Sequence, residues 1–158
     1  MAGRQESIDE VLRRLSASYA SGVDGRNVEL LLSAFREDAV LEIYAEPADE
    51  PSSPSILRGH SEIARIVGAI GRYRMTFHLL GQSRFEVRGD RADGEVYCVA
   101  SHYLERDGAA MNRVMYIRYE DEYQLGPDDG WGIARRRVRP SWTEERPIKP
   151  ELDAGRSV

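Results

Sequence analysis

The sequence contains one cysteine, Cys98, and one lysine, Lys149, among 158 residues. A single thiol excludes an internal disulfide framework and any cysteine-based zinc site. Arginine supplies the rest of the 22 basic side chains, which reads as a composition bias before any functional preference. A concentrated basic face is missing as well. The 27 acidic residues outnumber the basic ones and give a net charge of −5, whereas binding to a phosphate backbone needs clustered positive charge. The one basic run, Arg135-Arg136-Arg137 with Arg139, is short and strand-like, so no nucleic-acid partner is expected. No apolar run approaches the roughly 18 residues of a membrane span, and the polar start MAGRQESIDE lacks the apolar centre of a signal peptide. No membrane partner is expected, and the expected compartment is the cytoplasm. Histidine is scarce too. His60, His78 and His102 lack the close spacing of a structural metal site, so no metal is expected.

What the chain does contain is enough for one core. At 41% hydrophobic residues it suits a single domain over 1–142, with 143–158 as an extended or flexible tail marked by Pro147 and Pro150. From 6 to 22, Ile8, Val11, Leu12, Leu15 and Tyr19 recur at the spacing of an amphipathic helix. Ser7 and Glu10 form a capping-box pattern at its start. A second helix is predicted over 27–35 with Leu30, Leu31, Ala34 and Phe35 inward, which leaves Asp24 in a bend between Gly22 and Gly25. Residues 39–44, AVLEIY, read as a strand. Residues 45–55, with three prolines, read as a loop long enough to act as a lid. A third helix opens at Gly59-His60-Ser61 with Ile63, Ile66, Val67 and Ile70 inward, and His60 is expected at its exposed start.

The rest is strand. Residues 76–103 form two long strands joined at Gly89-Asp90, and further strands cover 110–125 and 131–138 across the turn signal Gly-Pro-Asp-Asp-Gly. Consecutive strands with short turns make an antiparallel meander, and three helices on one side of it give an α+β domain. A strongly curved antiparallel sheet wrapped on the three N-terminal helices forms a cone with an opening, suited to a small molecule. Alternation along the strand places His102 on one face with Val96, Cys98 and Ala100, opposite Glu95, Tyr97, Ser101 and Tyr103. Cys98 reads as a small core residue. Trp131 and Trp142 read as core and edge packing, and alternation allows only one or two of the arginines at 135–139 to point inward.

Asp24, His78 and His102 are the ionisable groups that can face the cone. A carboxylate accepting from one imidazole nitrogen fixes the tautomer and leaves the other nitrogen as a base near neutral pH. That base suits removal of a proton from carbon beside a carbonyl. Tyr19 is either packing or a donor to a developing oxyanion.

The segments YASGVDGRNVELLLSAFREDAVLEI at 19–43, RGHSEIARIV at 58–67, FHLLGQSRFEVRGDRADGEVYC at 77–98 and YEDEYQLGPDDGWGIARRRV at 119–138 resemble the SnoaL-like branch of the nuclear-transport-factor-2-like superfamily. This branch includes scytalone dehydratase, bile acid 7α-dehydratase and hexachlorocyclohexane dehydrochlorinase. The resemblance implies a cone-shaped α+β barrel. It places Asp24 on the family's acidic position and His78 on its catalytic histidine. Tyr19 falls where the bile acid dehydratase has a catalytic tyrosine and the dehydrochlorinase a lysine. His102 falls close to a second histidine of scytalone dehydratase, Tyr44 close to a tyrosine of the same enzyme that binds a substrate oxygen, and Arg136 on an arginine that the dehydrochlorinase uses. Val23 departs from the tyrosine that scytalone dehydratase carries before its aspartate, which separates this chain from that substrate.

The expected activity is therefore a dehydratase or isomerase without a cofactor, acting on a small hydrophobic molecule of polyketide, terpenoid or steroid type. His78, Asp24 and Tyr19 would be catalytic, and His102, Tyr44 and Arg136 would bind substrate. The alternatives are a SnoaL-like cyclase, an epoxide hydrolase, and a non-catalytic ligand-binding domain in which Asp24 and His78 form a buried structural pair. A homodimer is implied by the resemblance.

Overall fold

The computed structural model describes residues 6–45, 53–128 and 130–149. Helix α1, Ile8–Asp24, begins at the expected cap. The Glu10 amide donates to the Ser7 hydroxyl at 3.3 Å, and the Ser7 amide donates to the Glu10 carboxylate at 2.9 Å. Leu12, Leu15, Tyr19 and Val23 form its buried side. Helix α2, Val28–Leu32, follows at once, with the Asn27 side chain accepting from the Leu30 amide at 3.0 Å. The two helices approach so closely that a Cβ on Gly22 would lie 2.4 Å from the Leu31 nitrogen. Only glycine fits there, and the bend that carries Asp24 depends on it.

Helix α2 is shorter than the predicted 27–35. Phe35 opens strand β1, Phe35–Ile43, and pairs with Ile133. Ala34 and Phe35 are buried in either conformation, so apolar periodicity over so short a stretch cannot separate a helix end from a strand start. Strand β2, Ser55–Arg58, which the pattern does not reveal, pairs antiparallel with β1. Most of the predicted lid, residues 46–52, lies outside the described residues. The third helix is broken into α3, Gly59–Ile63, α4, Arg65–Ala69, and a short 3-10 turn, Ile70–Arg72. Gly68 and Gly71 lie where α4 gives way to the 3-10 turn and weaken helix propagation at that end. His60 does not end in solvent as its position suggests, because its Nε2 lies 3.1 Å from the Phe35 carbonyl and ties α3 to β1.

Strands β3, Met75–Arg88, β4, Arg91–Arg106, β5, Ala109–Leu125, and β6, Trp131–Pro147, complete a six-stranded sheet in the order β2-β1-β6-β5-β4-β3. The last four strands form the expected antiparallel meander. The sheet as a whole is mixed, because β1 joins β6 in parallel. Strand β6 also continues to Pro147, opposite Met111, so residues 143–147 belong to the sheet and not to a separate tail. Bulges at Leu80/Ser83, Tyr116/Ile117 and Glu122/Tyr123 bend the strands, and the curved sheet packs on the N-terminal helices. No helix among the described residues is long and apolar enough to cross a membrane.

Candidate active site

Asp24 is the last residue of α1, and β3 places His78 beside it. His78 Nδ1 lies 2.6 Å from Asp24 Oδ1. A carboxylate only accepts, so Nδ1 carries the proton and Nε2 is left with a free lone pair. The carboxylate is held by two further donors: the His78 backbone amide reaches Oδ2 at 2.8 Å, and the Thr76 hydroxyl reaches Oδ1 at 2.9 Å. Burial pushes the Asp24 pKa up, but hydrogen bonds from the His78 side chain and backbone and from the Thr76 hydroxyl outweigh it. The net result is a value below the usual carboxylate range. The aspartate is therefore ionised at neutral pH and shaped to orient one imidazole.

His102 lies next along the same inner surface. Its ring centroid is 6.0 Å from that of His78 at a steep angle and 4.6 Å from that of Tyr73. His102 Nδ1 is 3.2 Å from the Arg113 carbonyl, an acceptor, so here too the proton sits on Nδ1 and Nε2 is the free nitrogen. Burial lowers its pKa, the Arg113 carbonyl opposes the shift, and the Arg72 charge deepens it. At neutral pH His102 is a neutral acceptor.

Tyr19 and Arg136 lie deeper. The Tyr19 ring packs edge-on against Phe35 and Tyr119, at 5.8 and 5.6 Å. Burial pushes its pKa up to about 12 even with Arg136 pulling the other way, so the phenol keeps its proton. Arg136 is fully buried, with its guanidinium between the Tyr19 and Tyr119 rings at 4.5 and 4.3 Å. It grips Asp121 with two nitrogens, Nε to Oδ1 at 2.8 Å and Nη2 to Oδ2 at 2.6 Å, and Nη2 also reaches the Ser16 hydroxyl at 2.9 Å. Asp121 accepts in addition from the Tyr123 hydroxyl at 2.7 Å. Nε and Nη2 of Arg136 are thus taken by Asp121 and Ser16, while Nη1 is buried without a hydrogen-bond partner among the described residues, so the expected contact with substrate falls to that one donor. Cys98, beside Tyr119, is a buried thiol whose pKa burial pushes up to about 11, so it stays protonated.

Tyr44 is not brought to this surface. Alternation along β1 sends Leu41 into the core and Glu42 to the other face. Tyr44 follows Glu42, donates to its carboxylate at 2.9 Å and lies 4.0 Å beneath the Arg139 guanidinium. Its expected contact with substrate is thereby corrected: it belongs to an outer ladder in which Arg137 meets Glu122 and Arg139 meets Glu120. Of the arginines at 135–139, Arg136 alone points inward.

A cavity of about 510 Å³ between α1 and the bulged part of β3 is walled by Ser16, Ala17, Leu80, Gly81 and Val96. It begins two residues along β3 from His78, and Asp24, His78 and His102 do not line it. Three contributors escaped the sequence reading: Thr76, Arg26 and Tyr73. Thr76 had a usable signal, since a residue two before His78 on a strand shares its face. Arg26 and Tyr73 had none, because their roles arise from contacts across the fold. Among the described residues no group of three or more His, Cys, Asp or Glu side chains is placed to hold a metal ion.

An inner wall carrying an oriented imidazole, under a curved sheet packed on N-terminal helices, defines the class: an α+β cone domain with its polar groups inside. The chain belongs to the SnoaL-like domain family, whose model matches residues 5–137. An uncharacterized protein of Mycobacterium tuberculosis, Rv2910c, is 27% identical over 127 residues, which is 79% of this chain and 80% of the relative. Among solved structures, a putative scytalone dehydratase from Novosphingobium aromaticivorans superposes with a TM-score of 0.67 at 21% identity, covering 95% of each chain. The hexachlorocyclohexane dehydrochlorinase LinA-type3 from Novosphingobium barchaimii superposes with a TM-score of 0.72 at 18% identity, covering 94% of each. At these identities the structural likeness is one of fold.

Proposed function

We propose that the protein is an enzyme that, without a cofactor, removes water from a small hydrophobic carbonyl compound by abstracting the proton beside the carbonyl. The observation that carries this reading is the Asp24–His78 contact at 2.6 Å, which holds the proton on Nδ1 and leaves Nε2 free. His78 Nε2 takes the proton from carbon, and the C–H electron pair moves toward the carbonyl to give an enolate. The enolate then expels the β-hydroxyl as the double bond forms. His102, neutral with its proton engaged by Arg113, accepts a hydrogen bond from the substrate hydroxyl and has no proton to give it. The proton that leaves with water is therefore the one His78 removed. Tyr19, kept protonated, is the donor assigned to the enolate oxygen. Two structural neighbours bear names of elimination enzymes, a dehydratase and a dehydrochlorinase, which supports the reaction class. The test uses a panel of aromatic β-hydroxy ketones in deuterated buffer. The wild type is expected to incorporate deuterium beside the carbonyl and release the enone, and His78→Ala to be slower by about 10²-fold or more. A wild type that binds these ketones without exchange or turnover would favour the ligand-binding alternative.

We also propose a homodimer formed through the outer face of the sheet. Strand β3 turns Met75, Phe77 and Leu79 outward at 57%, 64% and 58% exposure, beside Trp142, which is stacked on Tyr116, and Tyr97. These side chains offer on the order of 500 Å² of apolar surface, a large part of the ~800 Å² that each partner contributes to a standard interface. The charged rows beside them are already paired within the chain, Arg118 near Glu95 and Arg139 with Glu120, so a second copy meets no unpaired row of like charge. Light scattering should give a dimer for the wild type and a monomer for Phe77→Asp. A monomeric wild type at high concentration rejects the interface.

A further inference from the structure

We infer that Arg26 is a positioning residue for the Asp24–His78 pair, acting through Thr76 and through the two chain segments that deliver the pair. This rests on the proposal that His78 is the base and deepens it. Arg26 is half-buried two residues beyond Asp24, and it adopts a left-handed backbone conformation at φ 54°. A residue with a side chain is strained there, whereas glycine is at ease. Such strain persists where surrounding contacts over-determine it.

The contacts of Arg26 are unusual for this chain. Most of its surface arginines with a resolved partner meet a carboxylate, such as Arg74 with Glu105 and Arg106 with Glu145. Arg26 instead spends its guanidinium on four neutral oxygens. Nη1 donates to the Thr76 hydroxyl at 3.2 Å and lies 3.4 Å from the Val23 and Asp24 carbonyls, and Nη2 donates to the Tyr73 carbonyl at 3.0 Å. The carbonyls of Val23 and Asp24 close α1, and Tyr73 leads into β3. The guanidinium therefore spans the end of the helix that carries Asp24 and the entry of the strand that carries His78.

The Thr76 contact has a directional consequence. A hydroxyl has one proton. With Arg26 donating to its oxygen, the Thr76 proton is directed at Asp24 Oδ1, where it lies 2.9 Å away. That bond, with the two from His78, fixes the rotation of the carboxylate and so the line along which Oδ1 meets His78 Nδ1. The chain Arg26 to Thr76 to Asp24 to His78 thus determines which imidazole nitrogen holds the proton. Only the last two members touch the reaction as proposed.

The closing experiment needs no substrate, so its outcome is separate from that of the turnover test on His78→Ala. The tautomer of His78 is read by nitrogen-15 NMR of histidine-labelled protein, together with thermal unfolding. In the wild type the Nδ1–H form is expected to be the major one. Arg26→Gly removes the guanidinium while relieving the backbone, so the melting temperature should fall by no more than about 3 °C, yet Nδ1–H should become the minor form. Thr76→Val, which keeps Arg26 and its carbonyl contacts, should shift the tautomer the same way. Thr76→Ser, which keeps the hydroxyl, should restore the wild-type tautomer. If the Nδ1–H form stays dominant in both Arg26→Gly and Thr76→Val, the positioning role is overturned. It is equally overturned if the tautomer moves only in variants that have lost their thermal transition.

Discussion

Asp121→Ala is expected to destabilise the protein by about 3–5 kcal/mol in urea unfolding, the cost of stranding one member of a buried ion pair. Arg136 and Asp121 are both fully shielded from solvent, with side-chain exposures of 0%. Asp121 also holds the Tyr123 hydroxyl, so one truncation leaves a cation and a phenol without their acceptor. The guanidinium cannot relax to water, because the Tyr19 and Tyr119 rings flank it and Ser16 takes only one of its hydrogens. Burial alone would lower the Arg136 pKa, and the Asp121 carboxylate more than reverses that, holding it above its usual value. Without Asp121 the opposing influence is gone. The double variant Asp121→Leu/Arg136→Met, which replaces both charges with apolar groups of similar size, should recover much of the lost stability. If Asp121→Ala unfolds at the wild-type urea midpoint, the pair contributes no net stability to the cone wall.

Asp24→Asn should reduce turnover by about 10²–10⁴-fold while leaving the fold in place. An amide is nearly the shape of a carboxylate but can present its NH2 to His78 Nδ1, which favours the tautomer with the proton on Nε2 and removes the free base. Loss of the negative charge also removes the partner that stabilises the imidazolium once the proton has moved. The same substitution has a pH signature in stability. The Asp24 pKa in the folded chain lies below its ordinary value of 3.8, so the folded state favours the ionised form. Its contribution is fully present above pH ~4 and is lost as pH falls through the folded value. The stability gap between wild type and D24N should therefore narrow below about pH 4. Equal turnover in D24N and the wild type would remove Asp24 from the mechanism.

Local pattern was enough wherever one element made its own case. The Ser7–Glu10 capping box, the inward row of α1 and the alternation that hides Val96, Cys98, Ala100 and His102 all rest on contacts a few residues apart or on a fixed two-residue period. The quoted segments of 19–43 and 77–98 carried the family, and through it the joint candidacy of Asp24 and His78. Periodicity alone singled out His102 more plainly than His78. What the pattern could not supply were contacts between remote segments. The parallel pairing of β1 with β6 joins residues almost a hundred positions apart, and no turn signal marks such a partner. Tyr44 reads as a pocket residue until the register of β1 sends it to the outer ladder, because one step along a strand reverses the face. Arg136 reads as a binding cation, and only the fold shows Asp121, on the neighbouring strand, gripping two of its nitrogens. The sequence by itself determined the α+β class and the succession of long strands, and it singled out Asp24 and His78, which the fold brings within 2.6 Å of each other. Tertiary structure alone decided which nitrogen of His78 is free, because that depends on three donors converging on Asp24 from a strand that begins more than fifty residues later.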